Sequence, residues 1–113
     1  MISNNDNELL DSLLLELRRG TIILSVLSQL KSPQYGYSLV VLLEGKKIPV
    51  DAGTLYPLLR RLEKQNLLVS NWDVEVAKPR KYYQLSDYGS DVYARLCDKW
   101  FEMVRNMDEI LKS

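Results

Sequence analysis

The sequence predicts a mainly α-helical domain carrying one small β-hairpin, on three observations. Leucine-rich segments at helical spacing fill the first half of the chain, two short runs rich in β-branched and aromatic residues follow, and Asp87 to Ser113 reads as one further long helix. At 113 residues and 46% hydrophobic content there is room for one compact core and no second domain.

The elements follow in order. From Glu8 to Leu17, the residues Leu10, Leu13, Leu14 and Leu17 fall at helical spacing, and Ile22, Ile23, Val26, Leu27 and Leu30 continue it. Gly20 lies between the two sets, and the sequence leaves open whether it bends one long helix or separates two. Ser32 to Gly36 has the composition of a turn, after which Tyr37 to Leu43 forms a short helix with Leu39, Val40 and Leu43 inward. A loop with Gly45 and Pro49 comes next. Asp51 then offers a carboxylate to the free N–H groups of a helix that runs to about Gln65. Leu55, Leu58, Leu59 and Leu62 give that helix an i, i+3, i+4, i+7 stripe. Pro57 sits inside it, removes one hydrogen bond, and predicts a distorted first turn. Leu67 to Val74 and Arg80 to Leu85 read as strands, and the link Glu75 to Pro79 is short enough to close them as an antiparallel pair. Ser86 is placed to cap the last helix.

Composition excludes several functions. The chain has no histidine and one cysteine, Cys97, so histidine-based catalysis, an internal disulfide and the common zinc spacings are all impossible. With no phosphate-binding glycine loop either, neither an enzyme nor a cofactor nor a metal is expected. No apolar run approaches a membrane span, and the polar, acidic start from Met1 to Asn7 lacks an export signal, so a cytoplasmic protein is expected. Net charge is zero, but its distribution is uneven. Residues 1–17 carry four acids and no bases, residues 18–81 carry eleven bases against five acids, and residues 82–113 carry four bases against six acids. A basic middle between acidic ends suits a polyanionic partner.

Three helices followed by a hairpin is the order of a winged helix-turn-helix, whose third helix enters the DNA major groove. With its leucines inward, that helix turns Thr54, Tyr56, Arg60, Arg61 and Lys64 outward, and Gly53 lets backbone N–H groups approach a phosphate at its start. Lys78, Arg80 and Lys81 place cations on the wing. Any solvated helix face carries charges, and edge strands use lysine against aggregation, so the wing supports the reading without carrying it. The alternative is a winged-helix module that binds proteins and no operator.

These residues also meet a family pattern. Gly36-Tyr37, the block Gly53-Thr54-Leu55-Tyr56-Pro57-Leu58-Leu59-Arg60-Arg61-Leu62-Glu63, and Pro79-Arg80-Lys81-Tyr82-Tyr83-Gln84-Leu85-Ser86 with Gly89 closely resemble the signature of PadR-type regulators. The resemblance spans roughly Arg18 to Trp100 and implies a repressor that binds inverted-repeat operator DNA as a dimer. It also makes Pro57 part of the helix pattern. The wing departs from the family, since Val74-Glu75-Val76-Ala77-Lys78 stands where a Gly-Gly-Arg type tip is common, which lowers the contribution expected of the wing.

The last helix, about 40 Å long at 1.5 Å per residue, exceeds what one small domain needs. Tyr93, Leu96, Trp100, Met103, Met107 and Ile110 alternate spacings of three and four, and Cys97, Phe101, Val104 and Leu111 widen the apolar surface. Together with Leu10, Leu13, Leu14 and Leu17, the residues Leu96, Trp100, Met103, Met107 and Ile110 predict a homodimer held by both terminal helices. The chain thus divides into a terminal helix (1–17), a reading core (18–85) and a dimerising helix (86–113). Trp100 reads first as an interface anchor. The family resemblance adds a second role, stacking on a planar aromatic effector between subunits. Cys97 reads as a buried, inert thiol.

Overall fold

The computed structural model describes residues 4–75 and 77–113; Val76 of the wing link and the first three residues of the polar start lie outside them. The elements run α1 (Asn4–Arg19), α2 (Ile22–Ser28), β1 (Gln34–Tyr35), α3 (Gly36–Gly45), α4 (Ala52–Lys64), β2 (Leu68–Asp73), β3 (Arg80–Leu85) and α5 (Asp87–Lys112). This is a winged helix-turn-helix with an extra helix at the start and a long one at the end.

The open question at Gly20 is answered by a break. Thr21 closes the turn after α1, with its backbone N–H and its hydroxyl both donating to the Arg18 carbonyl at 2.9 and 2.7 Å. The turn read at Ser32 to Gly36 hides a short strand. Gln34 and Tyr35 pair with Tyr83 and Tyr82, so the hairpin is part of a three-stranded antiparallel sheet in the order β1-β3-β2. A two-residue strand is too short to show an alternating pattern, and only its partner strand reveals it.

One helix end also differs from the composition-based reading. Gly45 lies in the last turn of α3, and the left-handed residue that ends the helix is Lys47, at φ 64°. Lys47 N–H donates to Glu44 O and Ile48 N–H to Leu43 O, at 3.0 and 2.9 Å. Helix α4 ends in the same way through Asn66, also at φ 64°, with Asn66 N–H on Glu63 O and Leu67 N–H on Leu62 O, both at 3.0 Å. Each pair of bonds satisfies two terminal carbonyls; after α4 the apolar Leu67 packs against the core, whereas Ile48 after α3 stays 39% exposed. Pro57 distorts less than expected. Helix α4 runs unbroken through it, although the Gly53 carbonyl loses its helical donor.

The core is one cluster beneath α4. Leu55, Leu58, Leu59 and Leu62 meet Val26, Leu27 and Leu30 from α2 and its exit, Leu39 and Leu43 from α3, Val50, Leu68 and Tyr83. The sheet joins this cluster by backbone bonds, Leu85 N–H to Leu30 O at 2.8 Å and Ser86 N–H to Leu67 O at 3.0 Å. Ser86 caps α5 by accepting from Gly89 N–H at 2.8 Å. Gly89 itself is buried against Leu67, close enough that a side chain there would collide with the Leu67 backbone. Helix α1 buries nothing, and α5 buries only Gly89. The chain accordingly measures 56 × 33 × 22 Å with a radius of gyration of 16.9 Å, where a compact domain of this length has about 13 Å.

Candidate nucleic-acid interface

Helix α4 owes its orientation to its leucines. At about 100° per residue, Gly53, Arg60 and Lys64 point directly away from the leucine stripe, Thr54 and Arg61 lie on one flank, and Tyr56 and Glu63 lie on the other. Gly53, Thr54, Tyr56, Arg60, Arg61 and Lys64 are all exposed, as the sequence predicts. Arg60, Arg61 and Lys64 form no ion pair among the described residues. Three cations therefore stand free on a helix whose opposite side is fixed in the core.

The start of α4 is already served by the protein. Asp51 accepts from Thr54 N–H at 3.2 Å and from the Thr54 hydroxyl at 2.8 Å, and the Thr54 hydroxyl bond is the main reason its carboxyl is held below the usual carboxylate range. The Thr54 hydroxyl proton thus points at Asp51, which leaves the oxygen as an acceptor toward solvent. A phosphate approaching past Gly53 meets the Asp51 charge, which lies beside that residue.

The flank with Tyr56 and Glu63 faces the rest of the domain. Glu63 accepts from the Ser70 hydroxyl on β2 and from Lys81 Nζ on β3, the latter at 3.0 Å, and these two bonds, Ser70 first, hold its carboxyl below the usual glutamate value. The same contact raises Lys81 above the usual lysine value, with Tyr83, whose ring lies 5.0 Å from Nζ, assisting. Lys81 is therefore tied to α4. Arg80 stacks over the Tyr35 ring at 4.7 Å, and Lys78 is exposed in the wing link. Of the three wing cations expected on DNA, Lys78 alone has no such engagement among the described residues. The Ser70–Glu63–Lys81 bridge was not legible beforehand, because Ser70 and Lys81 meet Glu63 only once the strands are paired.

At the far end, Leu10, Leu13 and Leu17 are exposed, while Leu14 is half-buried. On α5, Leu96 packs against the subunit's own core, whereas Trp100, Met103, Met107 and Ile110 remain exposed, Trp100 least at 37%. Trp100 and Phe101 border an open groove of about 400 Å³ between α2 and α5, floored by Leu24, Ser25, Tyr93 and Cys97. Cys97, read from the sequence as buried, is only half-buried there; its contact with Tyr93, together with burial, raises the Tyr93 phenol above its usual value.

The family model of the PadR-like transcriptional regulators matches residues 23–95. The chain belongs to that family. The PadR-like match takes in every element from α2 through the first part of α5. Among solved structures, a PadR family transcriptional regulator from Eggerthella lenta is 44% identical over 98% of this chain and 99% of its own, with a TM-score of 0.94. A PadR-like transcription factor from Bacteroides fragilis is 32% identical over 88% of this chain and 98% of its own, at 0.73. Bacillus subtilis PadR, solved in complex with operator DNA, is 20% identical over 66% of this chain and 44% of its own, at 0.60, a likeness of fold. No curated protein matches the chain.

Proposed function

We propose that this PadR-like regulator is a repressor that binds an inverted-repeat operator as a homodimer, with α4 in the major groove. The observation that carries the reading is the set of free cations Arg60, Arg61 and Lys64 on the outward face of a core-anchored helix. Arginine can grip a guanine edge or a phosphate with two parallel hydrogen bonds. Thr54 and Lys78 complete the contact surface, and Arg80 and Lys81 act mainly in holding the wing. The exposed leucines of α1 and the apolar outer half of α5 supply the dimer contact. Two-fold symmetry would then set two copies of α4 about 34 to 36 Å apart, one helical turn of DNA. Bacillus subtilis PadR, which shares the fold, is solved in complex with operator DNA, and this supports operator binding.

Binding of the chain to its own promoter region, titrated at rising salt, tests this. Affinity above that for random DNA, with a steep loss in salt, is expected. Equal affinity for both DNAs removes the operator reading. Arg60→Ala with Arg61→Ala should abolish binding and leave the dimer intact; an unchanged response would favour a protein-interaction module instead.

The groove between α2 and α5 favours a second component, release by a planar aromatic effector stacked on Trp100. Quenching of tryptophan fluorescence by planar aromatic compounds reads it. Trp72, 62% exposed on the wing, supplies a background. A Trp100→Phe variant that quenches like wild type removes Trp100 from the proposal.

A further inference from the structure

Gly36 opens α3, yet it has no positive φ, so its backbone conformation does not require glycine. Glycine is also a poor helix former. Its use is spatial. A Cβ built on Gly36 would lie 2.6 Å from Tyr56 Cζ and 2.7 Å from Tyr56 Oη, where ordinary carbon contacts begin at about 3.5 Å. The Tyr56 ring therefore rests directly on the backbone at the start of α3, and only 39% of the residue is exposed. Gly36 is itself held in place, because Tyr35 before it pairs with Tyr82 on β3.

Tyr56 and Glu63 are seven residues apart on the same flank of α4, about 10 Å along its axis. Glu63 ties the end of the helix to β2 and β3. Tyr56 meets the β1–α3 junction near its start. Two contacts two turns apart define the tilt of a rod, whereas the leucine stripe alone permits rocking about its own line.

We propose that Tyr56 is a positioning residue, whose ring seated on Gly36 sets the angle at which α4 presents Arg60, Arg61 and Lys64. The inference rests on the DNA-binding reading and assigns Tyr56 a role other than direct contact. Its ring is what matters, and its hydroxyl is dispensable.

The test uses the full chain with Gly36→Ala, Tyr56→Ala, Tyr56→Phe and the double variant Gly36→Ala/Tyr56→Ala. Affinity for promoter and random DNA is measured beside amide hydrogen exchange. Gly36→Ala and Tyr56→Ala should each lower promoter affinity about tenfold or more, the scale of overpacking or cavity effects, while random-DNA affinity stays near wild type. The double variant should be no worse than the worse single, because both remove one contact. Tyr56→Phe should bind like wild type. A Phe variant as weak as Tyr56→Ala, or additive losses in the double variant, overturns the proposal. Hydrogen exchange needs no DNA: in Gly36→Ala and Tyr56→Ala, amides of the first two turns of α4 should exchange faster, with the β2–β3 ladder unchanged. If wild type fails to prefer its promoter, the DNA reading falls, while unchanged exchange in α4 sinks the seat independently. Should Gly36→Ala fail to fold, Tyr56→Ala against Tyr56→Phe still decides.

Discussion

Helices α4 and α1 are both leucine-rich and of similar length, yet they stand at opposite ends of the burial scale. Leu55, Leu58, Leu59 and Leu62 of α4 are at most 9% exposed, while Leu13 and Leu17 of α1 are 51% and 75% exposed. The contrast shows that leucine content does not place a helix. In α4 the leucines form one stripe with α2, α3 and β2 opposite it, and the remaining face is left polar for a ligand. In α1, Leu10, Leu13, Leu14 and Leu17 repeat the same i, i+3, i+4, i+7 stripe, yet apart from the half-buried Leu14 they stay exposed, which suits the dimer contact proposed above.

The sharpest way to break this comparison is to delete the same side chain in both helices. Leu59→Ala opens a cavity in the core and should destabilise the fold by about 2–5 kcal/mol in denaturant unfolding. Leu13→Ala should barely change the unfolding of dilute protein and instead weaken self-association in sedimentation. An equal stability loss in protein shown to be monomeric would mean that α1 packs on its own subunit.

A smaller effect is expected where α5 leaves the core. Gly89→Ala drives a methyl group into the Leu67 carbonyl, which should cost about 1–3 kcal/mol and lower the melting temperature. Had α5 been as loosely held there as α1, the substitution would be neutral or stabilising, since alanine favours helix.

Smaller still is the bridge between α4 and the wing. Glu63→Gln should cost about 1 kcal/mol or less, because both partners are near one-third exposed. The sign with pH follows from the two shifts. Glu63 is held below its ordinary value of 4.5, so its contribution is complete above that value and fades as pH falls through the lower folded value. Lys81 is raised above 10.5, so its contribution is complete below that value and fades as pH rises through the higher folded one. Urea unfolding across both limbs, compared with Glu63→Gln, checks this; a variant with an unchanged acid limb would remove Glu63 from the account. The exposed pair Lys99–Glu102 on α5 has the same chemistry without the wing around it, and Lys99→Ala should change stability by about 0.5 kcal/mol or less in the same experiment.

Much of α4 was readable from its own residues. Its leucine period fixes which residues face outward, Asp51 announces its start, and the long block from Gly53 to Glu63 carries the family. Local signals suffice there because helix geometry and capping depend on residues within a turn or two of one another. The wing was less legible, since Lys81 and Arg80 looked equally free and differ only in what lies across from them.

The sequence by itself thus determined the order of the core helices and the hairpin strands, the outward face of α4 and the surplus of apolar surface at the chain ends. Only the tertiary structure decided that Gln34 and Tyr35 form a strand, that Lys47 and not Gly45 turns the chain after α3, that Lys81 belongs to Glu63, and that Tyr56 rests on Gly36. In the first, third and fourth of these the partners lie 18 to 49 residues apart, as Glu63 does from Lys81 and Gln34 from Tyr83. Such contacts exist only when the core brings separate elements together, and no periodicity within one element encodes them.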